Sequence, residues 1–197
     1  GVSINAGNGV LQDLGFQSSV DRMLKGLQLQ PETLTIEVGE NVPLDPPQTR
    51  DVLSRLRLHG VNVALDNFGR GPVSAARVMR LPISELKVDR SFVRNLPDSE
   101  VSAAMVSLAA SLARGLGIHA TAVGVENAEQ VRAVTQRGCD RVQGYWVGRP
   151  MPAEEMIDWS RARSSASSDI TSSRDADHCV AAVSSAVSTG GAAGMPT

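Results

Sequence analysis

Asp66 and Asn67 end the short apolar run Val61-Asn62-Val63-Ala64-Leu65 and are followed by Phe68-Gly69-Arg70-Gly71. A carboxylate and an amide placed where a strand gives way to a glycine turn are suited to holding a cation or a phosphate. The arrangement recurs along the chain: Asn5 follows Val2-Ser3-Ile4, Glu37 follows Leu34-Thr35-Ile36, Lys87 and Asp89 flank Val88, Glu126 follows Val125, and Gln143 follows Val142. If the runs are parallel strands, these tips gather on one edge of the sheet, where α/β folds bind ligands. Carboxylates, amides and a lysine on that rim suit Mg²⁺ or Mn²⁺, hard ions that prefer oxygen donors, and a pair of such ions suits phosphodiester hydrolysis. Asp, Asn and Glu also end strands simply because they favour turns and caps. Lys87 and Asp89 stand apart from that account, being two residues apart, and so on one side of a strand, within an otherwise apolar run. Glu40, taken alone, reads as a solvated loop residue.

The elements that must position these tips follow from periodicity. Strands are predicted over 2–5, 34–37, 61–66, 85–88, 119–125 and 141–143. Helices are predicted over 19–27, 46–58, 73–80, 99–116, 128–137 and 153–161. In the longest, Val101, Met105, Leu108, Ala109 and Leu112 are expected to face inward, with Gly117 ending it. Strict β/α alternation with a period near thirty residues predicts an α/β fold with a parallel sheet and crossover helices. From 162 to 197 the chain is Ser-, Ala-, Gly- and Thr-rich with few large apolar residues, too little to offset ordering entropy, and is expected to be a disordered tail. The domain is therefore expected over 1–161.

Bulk properties narrow the function classes. With 19 Lys+Arg against 21 Asp+Glu and a net charge of −2, no basic surface argues for a nucleic-acid polymer or an anionic membrane. No apolar run reaches the ~18 residues of a membrane span, and the opening residues lack the pattern of a signal peptide. Cys139 and Cys179 are far apart without C-x-x-C spacing, which points to a reducing cytoplasm rather than a disulfide framework. The chain opens on Gly1 and runs straight into a strand pattern, as a piece of something longer would.

Gly69-Arg70-Gly71 between strand and helix also fits the start of a dinucleotide fingerprint, but its third glycine would fall at Ser74. A helix opening near Pro72-Val73 offers backbone N–H groups to a phosphate. His59, His119 and His178 have no partners at ligand or triad spacing. Tyr145, Trp146 and Trp159 are expected to pack at the sheet rim and on the last helix, with base stacking by Tyr145 secondary.

Val2-Ser3-Ile4-Asn5, Ile36-Glu37-Val38-Gly39-Glu40, Leu65 through Gly71, Lys87-Val88-Asp89-Arg90-Ser91-Phe92, Gly124-Val125-Glu126 and Gln143-Gly144-Tyr145 together resemble the EAL domain of cyclic-di-GMP-specific phosphodiesterases. The resemblance covers about residues 1–159 and implies a TIM-like (β/α) barrel with about six of its eight βα units in this chain. It implies that Asn5, Glu37, Asp66 and Asn67 stand at metal positions and that Lys87 matches the lysine contacting the attacking water. Asp89 and Gln143 match further pocket positions, and Glu40 a glutamate that supports the loop after the Asp66 strand. Phe68, Gly69, Arg70, Arg90 and Gly144 would lie near the nucleotide.

The chain also departs from that pattern. It lacks the Glu-Ala-Leu whose glutamate is a metal ligand. The family's Asp-Asp-Phe-Gly reads Asp66-Asn67-Phe68-Gly69, and its Ala-Glu-Gly-Val-Glu reads Ala122-Val123-Gly124-Val125-Glu126. An amide and a valine replace two carboxylates, and hard-ion affinity scales with ligand charge. Glu126 would need a register slip to reach the place of Val123. The expectation is a domain that has lost efficient hydrolysis, binds Mg²⁺ or Mn²⁺ weakly and acts by binding cyclic-di-GMP or a protein partner, a second copy included. The alternative is an active phosphodiesterase, with Lys87 and Asp89 in catalytic positions, in which Asn67 and Glu126 serve in place of the lost carboxylates. A third is a ligand-free remnant with an exposed apolar sheet edge.

Overall fold

Six parallel strands lie side by side in chain order: β1 (Val2–Asn5), β2 (Leu34–Gly39), β3 (Asn62–Phe68), β4 (Glu85–Val88), β5 (His119–Val123) and β6 (Arg141–Gln143). The computed structural model describes residues 1–43, 46–71 and 75–167. Helices α1 (Asn8–Leu11) and α2 (Phe16–Gly26) and a 3₁₀ turn (Pro31–Thr33) follow β1, α3 (Pro47–Leu58) follows β2, and α4 (Ala75–Val78) follows β3. Next come α5 (Arg90–Arg94) and α6 (Glu100–Leu116) after β4, α7 (Ala128–Gln136) after β5 and α8 (Ala153–Ser167) after β6. All six expected strands are present. The fold is α/β with a parallel sheet, as the β/α alternation predicts.

Register explains which residues lie beneath the helices and which face inward on the other side of the sheet. Ile4 pairs with Ile36, Ile36 with Val63, Leu65 with Leu86, Leu86 with Ala120 and Ala122 with Val142, an apolar set that packs under the helices. The alternate positions pair Asn5 with Glu37, Lys87 with Thr121, Thr121 with Arg141 and Val123 with Gln143. Because side chains alternate along a strand, this second set shares the opposite face. Low on that face, the Thr121 hydroxyl donates to Glu85, and Arg141 Nη1 reaches Glu85 Oε2 at 3.3 Å. In this way β4, β5 and β6 are joined by side chains as well as by backbone.

The longest helix faces inward as expected at Met105, Ala109 and Leu112 but not at Val101 and Leu108. Ser102, Val106, Ala109, Ala110 and Ala113 of α6 are buried, whereas Val101 is 72% exposed and Leu108 51%. Helix α6 packs on β4, β5 and α5, and small side chains allow that close approach. The apolar residues at 101 and 108 therefore lie outside. Ser99 caps the helix by accepting from the Ser102 N–H at 3.2 Å, and Gly117 (φ +67°) ends it.

Other differences are matters of extent. Helix α8 runs to Ser167 rather than ending at Arg161. The expected tail beyond them, Cys179 and His178 included, lies outside the described residues, as do Pro72, Val73 and Ser74 of the expected helix start. Strand β3 reaches Phe68, two residues past its expected end. Strand β5 stops at Val123, before Val125. Cys139 is buried and unpaired, and burial, with Asp140 beside it, pushes its thiol up to about 12, so it is no nucleophile at neutral pH.

Candidate functional site

At the C-terminal ends of β2, β4 and β6 three of the expected residues meet. The Lys87 ammonium donates to Glu37 Oε1 and, at 3.0 Å, to Gln143 Oε1. Lys87 is 1% exposed and Glu37 3%. Register sets them there: Lys87 is the inward residue before the end of β4, Glu37 lies two strands away and Gln143 ends β6. A buried charge is tolerated only when paired and hydrogen-bonded, and the lysine meets both conditions.

Asp66 stands on β3 between these strands. Its carboxyl is raised above the ordinary 3.8, first by burial and next by the charge of Glu37, with Asp89 adding to the rise. Lys87 and the Asn67 backbone N–H act in the opposite direction. The Asn67 amide also donates from Nδ2 to Asp66 Oδ2 at 2.8 Å. Asn67 itself adopts a left-handed conformation, φ +60°, which Asn and Asp accept more readily than other L residues. A carboxyl raised by folding takes up a proton more readily when folded than when unfolded. Stability from this group is therefore full below 3.8 and is lost as pH rises through the higher folded value. Asp66→Asn should accordingly raise the melting temperature at pH 7 by an amount on the order of a few degrees. The gain should shrink as pH falls towards 3.8, and a thermal melt series across pH reads it directly.

Asp89 has a definite local task. It lies just past β4 as N-cap of α5, and its Oδ1 accepts from the Ser91 N–H at 2.8 Å. It is 3% exposed and close enough to Asp66 to raise it. Asp89→Ala should cost about 1 kcal/mol through the lost cap, while Asp89→Asn, which keeps the acceptor, should cost less. Urea titration of both variants measures the difference.

The loop after β3 is braced from β2. Glu40, far from solvated, is 3% exposed, and its Oε2 accepts from the Gly71 N–H at 2.5 Å. The Glu40 N–H donates to the Asp66 carbonyl at 3.2 Å. Gly69 (φ +96°) sits where a Cβ would lie 2.7 Å from Met105 Cε and 2.8 Å from Phe92, so only glycine fits without repacking. Gly124 (φ +82°) is pressed against Arg90 Cβ in the same way.

The remaining expected residues are dispersed. Phe68 is 4% exposed within the apolar core. Arg70 and Arg90 are exposed beside the rim, and Asn5 is exposed in register with Glu37. Gly144 immediately follows β6. Val123 takes the inward position next to Gln143, and Glu126 lies out in solvent with its backbone N–H donated to Gln130 Oε1 at 2.7 Å. The sequence reading did not anticipate the contact between Arg149 and the Tyr145 ring, 4.9 Å from its centroid.

These contacts decide how well the site suits a metal pair. Glu37 already carries an ammonium and Asp66 an amide donor, so both carboxylates have spent acceptor capacity on protein donors. Asn67 and Val123 add no charge. Among the described residues, no group of three or more His, Cys, Asp and Glu side chains is arranged to hold a metal ion.

Comparison with known proteins places this arrangement. Residues 1–150 match the family described as the EAL domain. The chain is 38% identical over 144 residues to the bifunctional diguanylate cyclase/cyclic di-GMP phosphodiesterase MucR of Pseudomonas aeruginosa, covering 73% of this chain and 21% of that protein. It therefore spans about a fifth of that relative's length. The solved MucR phosphodiesterase in complex with c-di-GMP superposes with a TM-score of 0.72 at 36% identity, covering 78% of this chain and 63% of that one. A manganese and cyclic-di-GMP complex of Klebsiella pneumoniae BlrP1 gives a TM-score of 0.65 at 29% identity, over 70% of this chain and 36% of that one.

Proposed function

The chain belongs to the EAL domain family, whose members include cyclic-di-GMP phosphodiesterases, and on that premise we propose that it is a binding domain of cyclic-di-GMP signalling with its hydrolytic centre disabled. The observation that carries this reading is the pair of internal donors, Lys87 on Glu37 and Asn67 on Asp66, which take up the carboxylates of the pocket. Val123, inward beside Gln143, supplies no charge where the resembled pattern has a glutamate. A pocket neutralised this way holds Mg²⁺ or Mn²⁺ weakly, since hard-ion affinity follows ligand charge.

The same residues suit an anionic ligand. Lys87 is already paired with Glu37 inside the pocket, and the exposed Arg70 and Arg90, which flank the rim at the ends of β3 and β4, are the cations open to a ligand. A cyclic dinucleotide with two phosphodiesters meets these cations without needing a bridging ion. The output is then the bound state itself, passed to a protein partner or a second copy. No helix of the described residues is long and apolar enough to cross a membrane, and the cytoplasm, where the nucleotide would be met, is the proposed location.

Incubating the protein with cyclic-di-GMP and Mn²⁺ and separating the products by chromatography tests the reading. No linear pGpG is expected above background. Linear product at an ordinary enzymatic rate, abolished by Asp66→Ala, would establish the alternative of an active phosphodiesterase.

A further inference from the structure

Lys87 has two buried carboxylates within reach and takes the farther one. Glu85 is 5% exposed and lies two residues before it on β4, on the same face and about 7 Å along the strand. Glu37 lies two strands away, about 10 Å across the sheet, in one register row with Ala64 and Glu85. The ammonium nevertheless donates to Glu37 and to Gln143. Attraction between charges favours the shorter path, so Glu85 must be engaged elsewhere.

Two donors on the neighbouring strands engage it. The Thr121 hydroxyl of β5 donates to Glu85 Oε1, and Arg141 Nη1 of β6 reaches Glu85 Oε2 at 3.3 Å. Thr121 stands in register between Lys87 and Arg141, and its small side chain lets the guanidinium cross β5 to reach β4. One step higher, Val123 leaves the same room between Lys87 and Gln143. Two parallel diagonals therefore tie β4 to β6, Glu85 to Arg141 below and Lys87 to Gln143 above.

We propose that Arg141 is a positioning residue for the pocket, which by engaging Glu85 keeps the Lys87 ammonium on Glu37 and Gln143. Without Arg141, Glu85 is a buried carboxylate whose one donor is a hydroxyl, and a buried charge requires a counter-charge. Lys87 is the cation that can supply it, because its flexible four-carbon stem covers the distance along its own strand. Glu37 is then left as an unpaired anion at the rim, opposed to an anionic ligand. The effect on a ligand rests on the binding role proposed above, whereas the effect on Lys87 does not.

The chain has two lysines, Lys87 and the exposed Lys25, so the ¹H–¹⁵N spectrum of the side-chain ammonium groups reports Lys87 directly, with Lys25→Arg assigning the signal. Arg141→Met should move the Lys87 signal and weaken cyclic-di-GMP binding, read by calorimetry in EDTA, at least about tenfold. Adding Glu85→Gln, which removes the competing charge, should return both to the values of the unaltered chain. Arg141→Lys, which keeps a charge at that position, should hold both near them, and Glu85→Gln alone should leave the Lys87 signal in place. Circular dichroism melts establish that each variant is folded. Should Arg141→Met alone unfold the domain, Arg141→Gln, which keeps a neutral donor for Glu85, takes its place with the same expectation. A side chain that only supports the fold would lower the melting temperature and leave the Lys87 signal where it is. A signal unmoved by the loss of Arg141, a signal that Glu85→Gln fails to restore, or an affinity that stays constant while the signal moves would each overturn the proposal. An unaltered chain that binds no cyclic-di-GMP would contradict the binding role instead, and the Lys87 signal would still decide the role of Arg141.

Discussion

Lys87→Met should destabilise the domain by about 3–5 kcal/mol, because it leaves the Glu37 carboxylate buried with no positive charge beside it. The side chain volumes are similar, so packing alone predicts a small effect. The electrostatic cost dominates: Glu37 is 3% exposed and Lys87 1%, and neither can turn to water without opening the strand ends. Gln143 would lose its donor as well. Adding Glu37→Gln to Lys87→Met should recover most of the loss, since no charge is then buried alone. Chemical denaturation of the two single variants and the double gives the coupling. A loss below about 1 kcal/mol for Lys87→Met would show that solvent screens Glu37 and that the pair is not the organising contact of the pocket.

Asn67→Asp with Val123→Glu should raise affinity for Mn²⁺ at least about tenfold, roughly 1.4 kcal/mol. The left-handed backbone at residue 67, φ +60°, accepts Asp nearly as well as Asn, so the first change places a charge without strain. It also removes the amide donor that now occupies Asp66 Oδ2. Val123 points inward beside Gln143, so a glutamate there reaches into the same pocket. Without metal the variant should be less stable than the parent, because two carboxylates join Asp66, whose proton affinity burial and Glu37 already raise. Its melting temperature in chelator should therefore fall, and the rise on adding Mn²⁺ should exceed that of the parent. Isothermal calorimetry with Mn²⁺ alone, together with thermal melts, measures both effects. Equal Mn²⁺ affinity in parent and variant would show that charge at these positions does not govern the site.

Sequence periodicity revealed the sheet more fully than the site. Each strand sets Val, Ile, Leu or Ala on the face beneath the helices and mostly polar residues at the alternate positions, the period of two by which a strand is legible. Val101 and Leu108 of α6 lie outside, against expectation, for a physical reason. Ala109, Ala110, Ala113 and Ser102 form its buried face, and small residues carry little weight in an apolar pattern that Val101 and Leu108 dominate. Helices α1 and α5, with four and five residues, are too short to show a period. Glu40 looks like a loop residue locally, and only its bond to Gly71, thirty-one positions away, makes it a buried brace. Lys87 and Glu37 are fifty positions apart, and nothing local announces their contact. The exchanges at Asn67 and Val123 were visible by resemblance to a known motif, whereas the donors that now occupy the carboxylates emerge only from the fold.

Titrating cyclic-di-GMP into the protein by calorimetry, once in EDTA and once with Mn²⁺, tests most directly whether the pocket binds the nucleotide without a metal pair. The expected result is a binding isotherm of similar affinity in both buffers, with the nucleotide recovered intact. Binding that appears only with Mn²⁺ and ends in linear pGpG, or no binding heat in either buffer, would contradict it.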